Sequence, residues 1–231
     1  MALWREVVEA LDEIIPQYER VNHLISLLQD DRSRLIGLHL AGRRRGVGLE
    51  LGSGPGNFSR MISSFHDGPL VCLDFLASMH IKAKQRNHAT PQHHHVIAVF
   101  EQLPLKTNAF HATYAAYALR DAVNKTRAVE EASRVLRRGG RLLVVDIGKP
   151  DNRFLMESMG LYMRLLVPLV GGLSSGYGPR NPWGRLYDTY LSIPSNKGLL
   201  QLLNTCLEVV ERVEILLGGI VVILARKPGP G

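Results

Sequence analysis

Two carboxylates flanking a run of glycines carry the clearest chemistry in the chain. An apolar segment ending at Leu51 contains one acid, Glu50, and opens into Gly52-Ser53-Gly54-Pro55-Gly56. A second apolar segment, from Pro69 to Leu73, ends in Asp74. Glycines let a backbone come close to a ligand where a Cβ would clash. An acid on each side of them can meet hydroxyl groups or positive charge. Strand, glycine turn, helix, second strand and acid form the arrangement by which α/β proteins hold an adenosine-bearing cofactor.

The spacing discriminates between cofactors. A dinucleotide turn reads G-x-G-x-x-G, its third glycine packing helix on strand. Here the glycines run G-x-G-x-G, and Asn57 stands at the third position. A pyrophosphate also needs backbone N–H groups at a helix N-terminus. S-adenosylmethionine has no phosphate and carries a sulfonium, an ammonium and a carboxylate. Glu50 is then expected to face its cationic amino-acid end. Gly52, Gly54 and Gly56 are expected to let the backbone approach, and Asp74 to accept hydrogen bonds from both ribose hydroxyls. S-adenosylmethionine is therefore expected ahead of a nicotinamide dinucleotide.

Composition allows a scaffold for these residues. With 231 residues, 45% hydrophobic and 21% charged, the chain suits one α/β domain with a small elaboration, not a disordered polymer. No stretch long enough to span a membrane is free of charge, so no transmembrane helix is expected. The first residues lack the basic and apolar regions of a signal peptide. Cys72 and Cys206 are read as reduced thiols of a cytoplasmic protein. The net charge of +7 includes clusters at Arg43-Arg44-Arg45 and Arg137-Arg138. It is read as a solvated face rather than a nucleic-acid track, because aromatic residues are only 6% and do not alternate with basic ones. His93-His94-His95 is read as a polar loop entering a strand. Adjacent side chains of an extended segment point to opposite faces and chelate poorly, so no metal is expected.

Periodicity predicts N-terminal helices within residues 1–45, the second over 31–41. Strands follow over 47–51, 70–73, 96–100, 112–118 and 141–147, alternating with helices over 57–65, 78–86 and 124–136. Gly139-Gly140 is expected to stop the last helix. Such alternation predicts a parallel sheet buried on both faces. Apolar runs over 207–216 and 220–225, joined at Gly218-Gly219, predict an antiparallel hairpin. The expected fold is α/β: a Rossmann-like class I methyltransferase with a mostly parallel seven-stranded sheet, a closing hairpin and helices on both faces. Residues 149–206 break the alternation. Their apolar helical stretch over 156–173 is expected to cover the carboxyl ends of the strands as a substrate lid.

Four segments resemble the UbiE-type methyltransferases, the quinone C-methyltransferases of menaquinone and ubiquinone synthesis. The first, Tyr18-Glu19-Arg20-Val21-Asn22, is similar to the family's Tyr-Asp-x-x-Asn, and the glycine loop is the second. The third is Phe100-Glu101-Gln102-Leu103-Pro104 with Asn108-Ala109-Phe110. The fourth is Tyr117-Ala118-Leu119-Arg120-Asp121, continuing through the run from Val135 to Asp146 and Lys149-Pro150. The tail from Gly218 to Val222 resembles the family's last hairpin. Coverage is nearly the whole chain and weakest in the lid. Some positions differ: Val99 and Phe100 stand where the family has Asp or Asn, then Ala, against the adenine. Ala116 replaces a serine, His111 an aspartate and Asp121 an asparagine. The resemblance implies cofactor positions Tyr18, Ser53, Phe75, Met79, Val99, Phe100, Glu101 and Ala116, beside Glu50, the three glycines and Asp74.

The resemblance also implies a prenylated quinol as the small-molecule acceptor. Attack by an aromatic carbon needs an electron-rich ring, which a hydroquinone becomes on losing a hydroxyl proton. A phenolic hydroxyl titrates near pH ~10, so a base or a cation helps. Arg120 is expected to stabilise the phenolate and Asp121 to take the proton, directly or through water. Tyr177, Tyr187 and Tyr190 are expected to orient the ring. Leu161, Leu165, Leu166 and Leu169 are expected to line an apolar slot for the tail. Peripheral membrane contact and a homodimer compete as uses of that apolar surface. Two further readings stay open: a small-molecule O- or N-methyltransferase, and a non-catalytic subunit that binds S-adenosylmethionine for regulation.

Overall fold

Short apolar runs form the strands, and amphipathic helices return the chain across the sheet. In the computed structural model, which describes residues 20–86, 92–176, 178 and 181–229, there are nine strands. These are β1 (Arg44–Arg45), β2 (Gly48–Leu51), β3 (His66–Asp67), β4 (Leu70–Asp74), β5 (His93–Ile97), β6 (Phe110–Ala116), β7 (Leu136–Ile147), β8 (Glu208–Ile215) and β9 (Ile220–Arg226). The α-helices are α1 (Asp30–Ala41), α2 (Asn57–Ile62), α3 (Ala77–Arg86), α4 (Lys125–Val135), α5 (Arg153–Leu161), α6 (Val167–Ser175), α7 (Arg185–Ser192) and α8 (Asn196–Leu203). Tyr18 and Tyr177 lie outside the described residues.

Seven strands form the main sheet in the order β5-β4-β2-β6-β7-β9-β8. Its first five strands are parallel, and β9 runs antiparallel to both β7 and β8. The closing hairpin is therefore present. Alternating side chains build a core on each face. Leu49, Leu51, Leu73, Val144 and Ile223 meet Val129 and Ala132 of α4 and Leu203 of α8. On the other face Cys72, Tyr114, Leu143 and Val222 meet Leu38 of α1 and Phe58 and Ile62 of α2.

Some boundaries differ from expectation. β5 begins at His93, so the three histidines are strand rather than loop. They sit on an edge strand paired only with β4, where polar side chains are tolerated. β6 ends at Ala116 because Tyr117 takes left-handed backbone, φ 57°. α4 ends before the two glycines, since Leu136 is already extended and pairs with Phe110. The arginine cluster is satisfied locally. Arg43 grips Asp67 with two hydrogen bonds of 2.9 and 2.7 Å, and Arg44 donates to the Ala41 carbonyl.

α5 and α6 are joined by a π-turn, Tyr162–Leu166, into one helical run from Arg153 to Ser175. By length and composition this run is apolar enough to cross a membrane, contrary to expectation, although it carries Arg153, Glu157 and Arg164. Here one side of it packs into a separate small core of Val21, Met163, Val167, Trp183, Tyr190 and Ile193.

Candidate active site

Parallel strands in register bring their carboxyl ends to one level. Glu50 lies beside Cys72 on β4 and Tyr114 on β6. The chain then turns because Gly52 N and Ser53 N both donate to the Leu73 carbonyl, at 2.8 and 2.9 Å. Gly52 and Gly54 have φ of 69° and 51°, the left-handed region that glycine enters without cost. A Cβ on Gly52 would strike the Ala118 Cβ at 2.3 Å, whereas one on Gly54 would meet nothing within 4 Å. Gly54 therefore faces open space. Gly56 starts α2 and does not border that space.

The space is a cleft of about 1370 Å³ over the strand ends. Glu50, Gly52, Ser53, Gly54, Asp74, Phe75, Met79, Val99, Phe100, Glu101, Ala116, Arg120 and Asp121 all border it. The Asp74 carboxylate accepts from Gly54 N at 2.8 Å and Leu76 N at 3.0 Å. The Phe75 backbone bonds to it as well; a carboxylate offers roughly four acceptor sites, so capacity remains for a hydroxyl. Burial raises its pKa, and those backbone donors oppose the rise. Glu50 is fully buried and accepts a hydrogen bond from Ser59 Oγ. Burial pushes it up to about 8. Ser53 Oγ is buried without a hydrogen-bond partner, which is uncommon for a buried polar atom. A desolvated acid, an unpartnered hydroxyl, a glycine facing open room and a carboxylate with spare acceptor capacity fit the cation, polar groups and ribose of S-adenosylmethionine.

This arrangement makes binding pH-dependent. A nearby cation pulls a carboxyl pKa down, so cofactor binding should release the Glu50 proton below pH 8. Affinity should then rise about tenfold per pH unit between roughly pH 6 and 7.5. Calorimetry in two buffers of different ionisation heat would detect the released proton. Glu50→Gln should flatten the profile; an unchanged slope in that variant would mean another group titrates.

Arg120 is nearly buried, and its Nη1 and backbone N both donate to Asp146, each at 3.1 Å. Its Nε lies 3.6 Å from Asp121, whose side chain is half exposed towards the cleft. Surrounding protein raises the Asp121 pKa, opposed by Arg120. Sequence reasoning does not find Asp146 as the partner that fixes Arg120. It also misses the place of Tyr117, whose ring centroid lies 5.2 Å from the Arg34 guanidinium and 5.8 Å from that of Arg120. The Tyr117 hydroxyl bonds with Ser33 Oγ at 2.8 Å.

The lid faces the cleft differently from expectation. Leu155, Met159, Met163 and Val167, four residues apart, border it. Leu161, Leu165, Leu166 and Leu169 are exposed on the other side. Tyr187 and Tyr190 do not border the cleft; Tyr190 is buried and donates to the Met156 carbonyl at 2.9 Å. Tyr162 borders it instead, with its hydroxyl donating to the Ile25 carbonyl at 2.8 Å.

Residues 3–224 match the model of the ubiE/COQ5 methyltransferase family. The chain belongs to that family. A ubiquinone/menaquinone biosynthesis C-methyltransferase UbiE from Hahella chejuensis is 30% identical over 175 residues, 72% of this chain and 70% of that protein. A demethylmenaquinone methyltransferase from Desulfitobacterium hafniense is 26% identical over 230 residues, covering 96% and 90%. Among solved structures, a SAM-dependent methyltransferase from Aquifex aeolicus superposes with a TM-score of 0.60 at 17% identity, covering 90% of this chain and 96% of that one. This member of the family is an S-adenosylmethionine-dependent methyltransferase with the class I fold, and the glycine loop, Glu50 and Asp74 lie where its cleft meets the strand ends.

Proposed function

We propose that this methyltransferase methylates a ring carbon of a prenylated quinol. The observation that carries the reading is the continuity of the cleft. One volume of about 1370 Å³ runs from the glycine loop to the apolar lid residues Leu155, Met159 and Met163. Small-molecule pockets usually measure about 300–1,000 Å³, so room remains beyond the cofactor for a ring and part of a tail. The names of the two relatives point the same way.

Glu50, Ser53, Gly54 and Asp74 hold the cofactor, with Val99 and Phe100 against its adenine. When bound, it supplies an electrophilic methyl group to an aligned acceptor. Arg120, pinned by Asp146, keeps a positive charge beside the acceptor oxygen. The exposed leucines of the lid meet the surface of a membrane on its cytoplasmic side, and a second copy of the chain is the rival occupant.

The test is product identity. Labelled S-adenosylmethionine and a chemically reduced demethylmenaquinone should yield label in a ring C-methyl group by mass spectrometry. An O-methyl ether would instead favour an O-methyltransferase. Tight cofactor binding with no transfer to any quinol would favour the regulatory reading.

A further inference from the structure

We infer that His23, oriented by Asp30, is the base that takes the hydroxyl proton of the methyl acceptor. The inference rests on the acceptor being a hydroxylated ring, as proposed above. His23 Nδ1 lies 2.7 Å from Asp30 Oδ1. With Nδ1 donating to the carboxylate, the neutral ring is held in the tautomer whose Nε2 can accept a proton, and this is the form that acts as base. Asp30 is nearly buried and is held in turn by Ser26 Oγ at 3.1 Å and by Arg34 at 3.5 Å. The His23 side chain is 45% exposed, and it borders the cleft. A fixed carboxylate, an imidazole bonded to it and open substrate space beyond are the parts of a general-base site.

The backbone is bent to bring the pair together. Leu27 and Leu28, which separate the helical turn of His23 from α1, both take left-handed backbone, φ 52° and 62°. Such conformations are uncommon for bulky residues and persist only where surrounding structure enforces them. Asp31 approaches the pair, and one ligand atom each of His23, Asp30 and Asp31 lies within 4.8 Å of the others. Arg34 already supplies the positive charge there, 3.0 Å from Asp31 and 3.5 Å from Asp30. Arg34 thus offsets one of the two carboxylate charges and occupies oxygens of both, which weakens the cluster as a metal chelate. Other charged or titratable groups bordering the same cleft include Arg20, Asp31, Arg34, Tyr117, Arg120, Asp121 and Tyr162.

In the step, the O–H proton passes to His23 Nε2 and its electron pair stays on the ring oxygen. The ring carbon gives a pair to the methyl group, and the bond from that methyl to the donor sulfur breaks with its electrons left on sulfur. The proton displaced from the methylated carbon re-forms the hydroxyl. The proton on His23 goes to solvent, so one proton leaves per turnover.

The full chain serves for the test, with His23→Gln as the main variant, since that side chain is half exposed and its loss should not unfold the domain. Turnover of a reduced demethylmenaquinone should fall about 10²–10⁴-fold, with cofactor affinity unchanged by calorimetry. The acid limb of the kcat profile should disappear with it. Asp30→Asn should lower kcat in the same direction. A second readout needs no turnover: 4-nitrophenol, added to the protein saturated with S-adenosylhomocysteine, should ionise at lower pH than in water, and His23→Gln should shrink that shift to the part that Arg120 supplies. Wild-type kcat and pH profile in His23→Gln would overturn the inference and leave Asp121 as the base. So would nitrophenol that ionises equally in both proteins, or that shows no shift in either. If the wild-type protein methylates no quinol, the acceptor reading fails, and the nitrophenol titration alone decides the role of His23.

Discussion

Gly54→Val is expected to abolish S-adenosylmethionine binding while the domain stays folded. The residue sits at φ 51° with open cleft where a Cβ would project. Left-handed backbone costs an L-residue roughly 1–2 kcal/mol, somewhat more when β-branched, which a domain stable by about 5–15 kcal/mol absorbs. No native contact is struck, so what the valine removes is the space the cofactor needs. Affinity should drop more than about a hundredfold, or 2.7 kcal/mol, in calorimetry, with circular dichroism and thermal unfolding close to wild type. Gly54→Ala should weaken binding less. Gly52 is the wrong probe, since its substitution collides with Ala118 at 2.3 Å and damages the loop itself. Normal cofactor binding by the valine variant would remove the glycine loop from the site.

Asp146→Ala is expected to be the most destabilising single change at the cleft. The side chains of Arg120 and Asp146 are only 8% and 4% exposed. Removing the carboxylate leaves a buried guanidinium without its main partner, which costs about 3–5 kcal/mol. Urea unfolding should show the midpoint falling with an unchanged slope. Arg120→Ala should cost a similar amount by stranding Asp146. The double variant Arg120→Met/Asp146→Leu should cost less than either single change, because no charge is left buried. A loss below about 1 kcal/mol for Asp146→Ala, the range of an exposed ion pair, would mean that the guanidinium can turn out of its buried position towards a substrate.

Features set by local backbone are legible in the chain of residues alone. The glycine loop can be read because alternate glycines before a helix have few other uses, and Asp74 because it ends an apolar run. The parallel sheet and its closing hairpin follow from alternation and from the two final apolar runs. What stays hidden depends on contacts distant in sequence. Tyr117 and Ser33 are 84 residues apart, and neither type nor spacing announces their meeting. β5 starts earlier than its apolar run because its first residues are histidines, which an edge strand accepts and a search for apolar runs does not. The inward face of the lid helix is misread from sequence because the stretch is apolar all round. Periodicity then gives no preference between Leu165 and Met163, and only packing against Val21 and Trp183 decides.

The same helical run carries Met159 and Met163 towards the cleft and Leu161, Leu165 and Leu169 outwards. A hydrogen-bonded helix shifts as a rod, so filling the cleft and covering the outer leucines act on one beam. Such loads are linked, and linkage is reciprocal: the factor by which one occupant changes the affinity of the other holds in both directions. An acceptor that displaces the helix would alter the grip of its outer face on whatever lies there. That contact, once made, would tune the cleft for the acceptor by the same factor. Substrate capture and attachment would then be a single equilibrium, without a separate sensor in the chain.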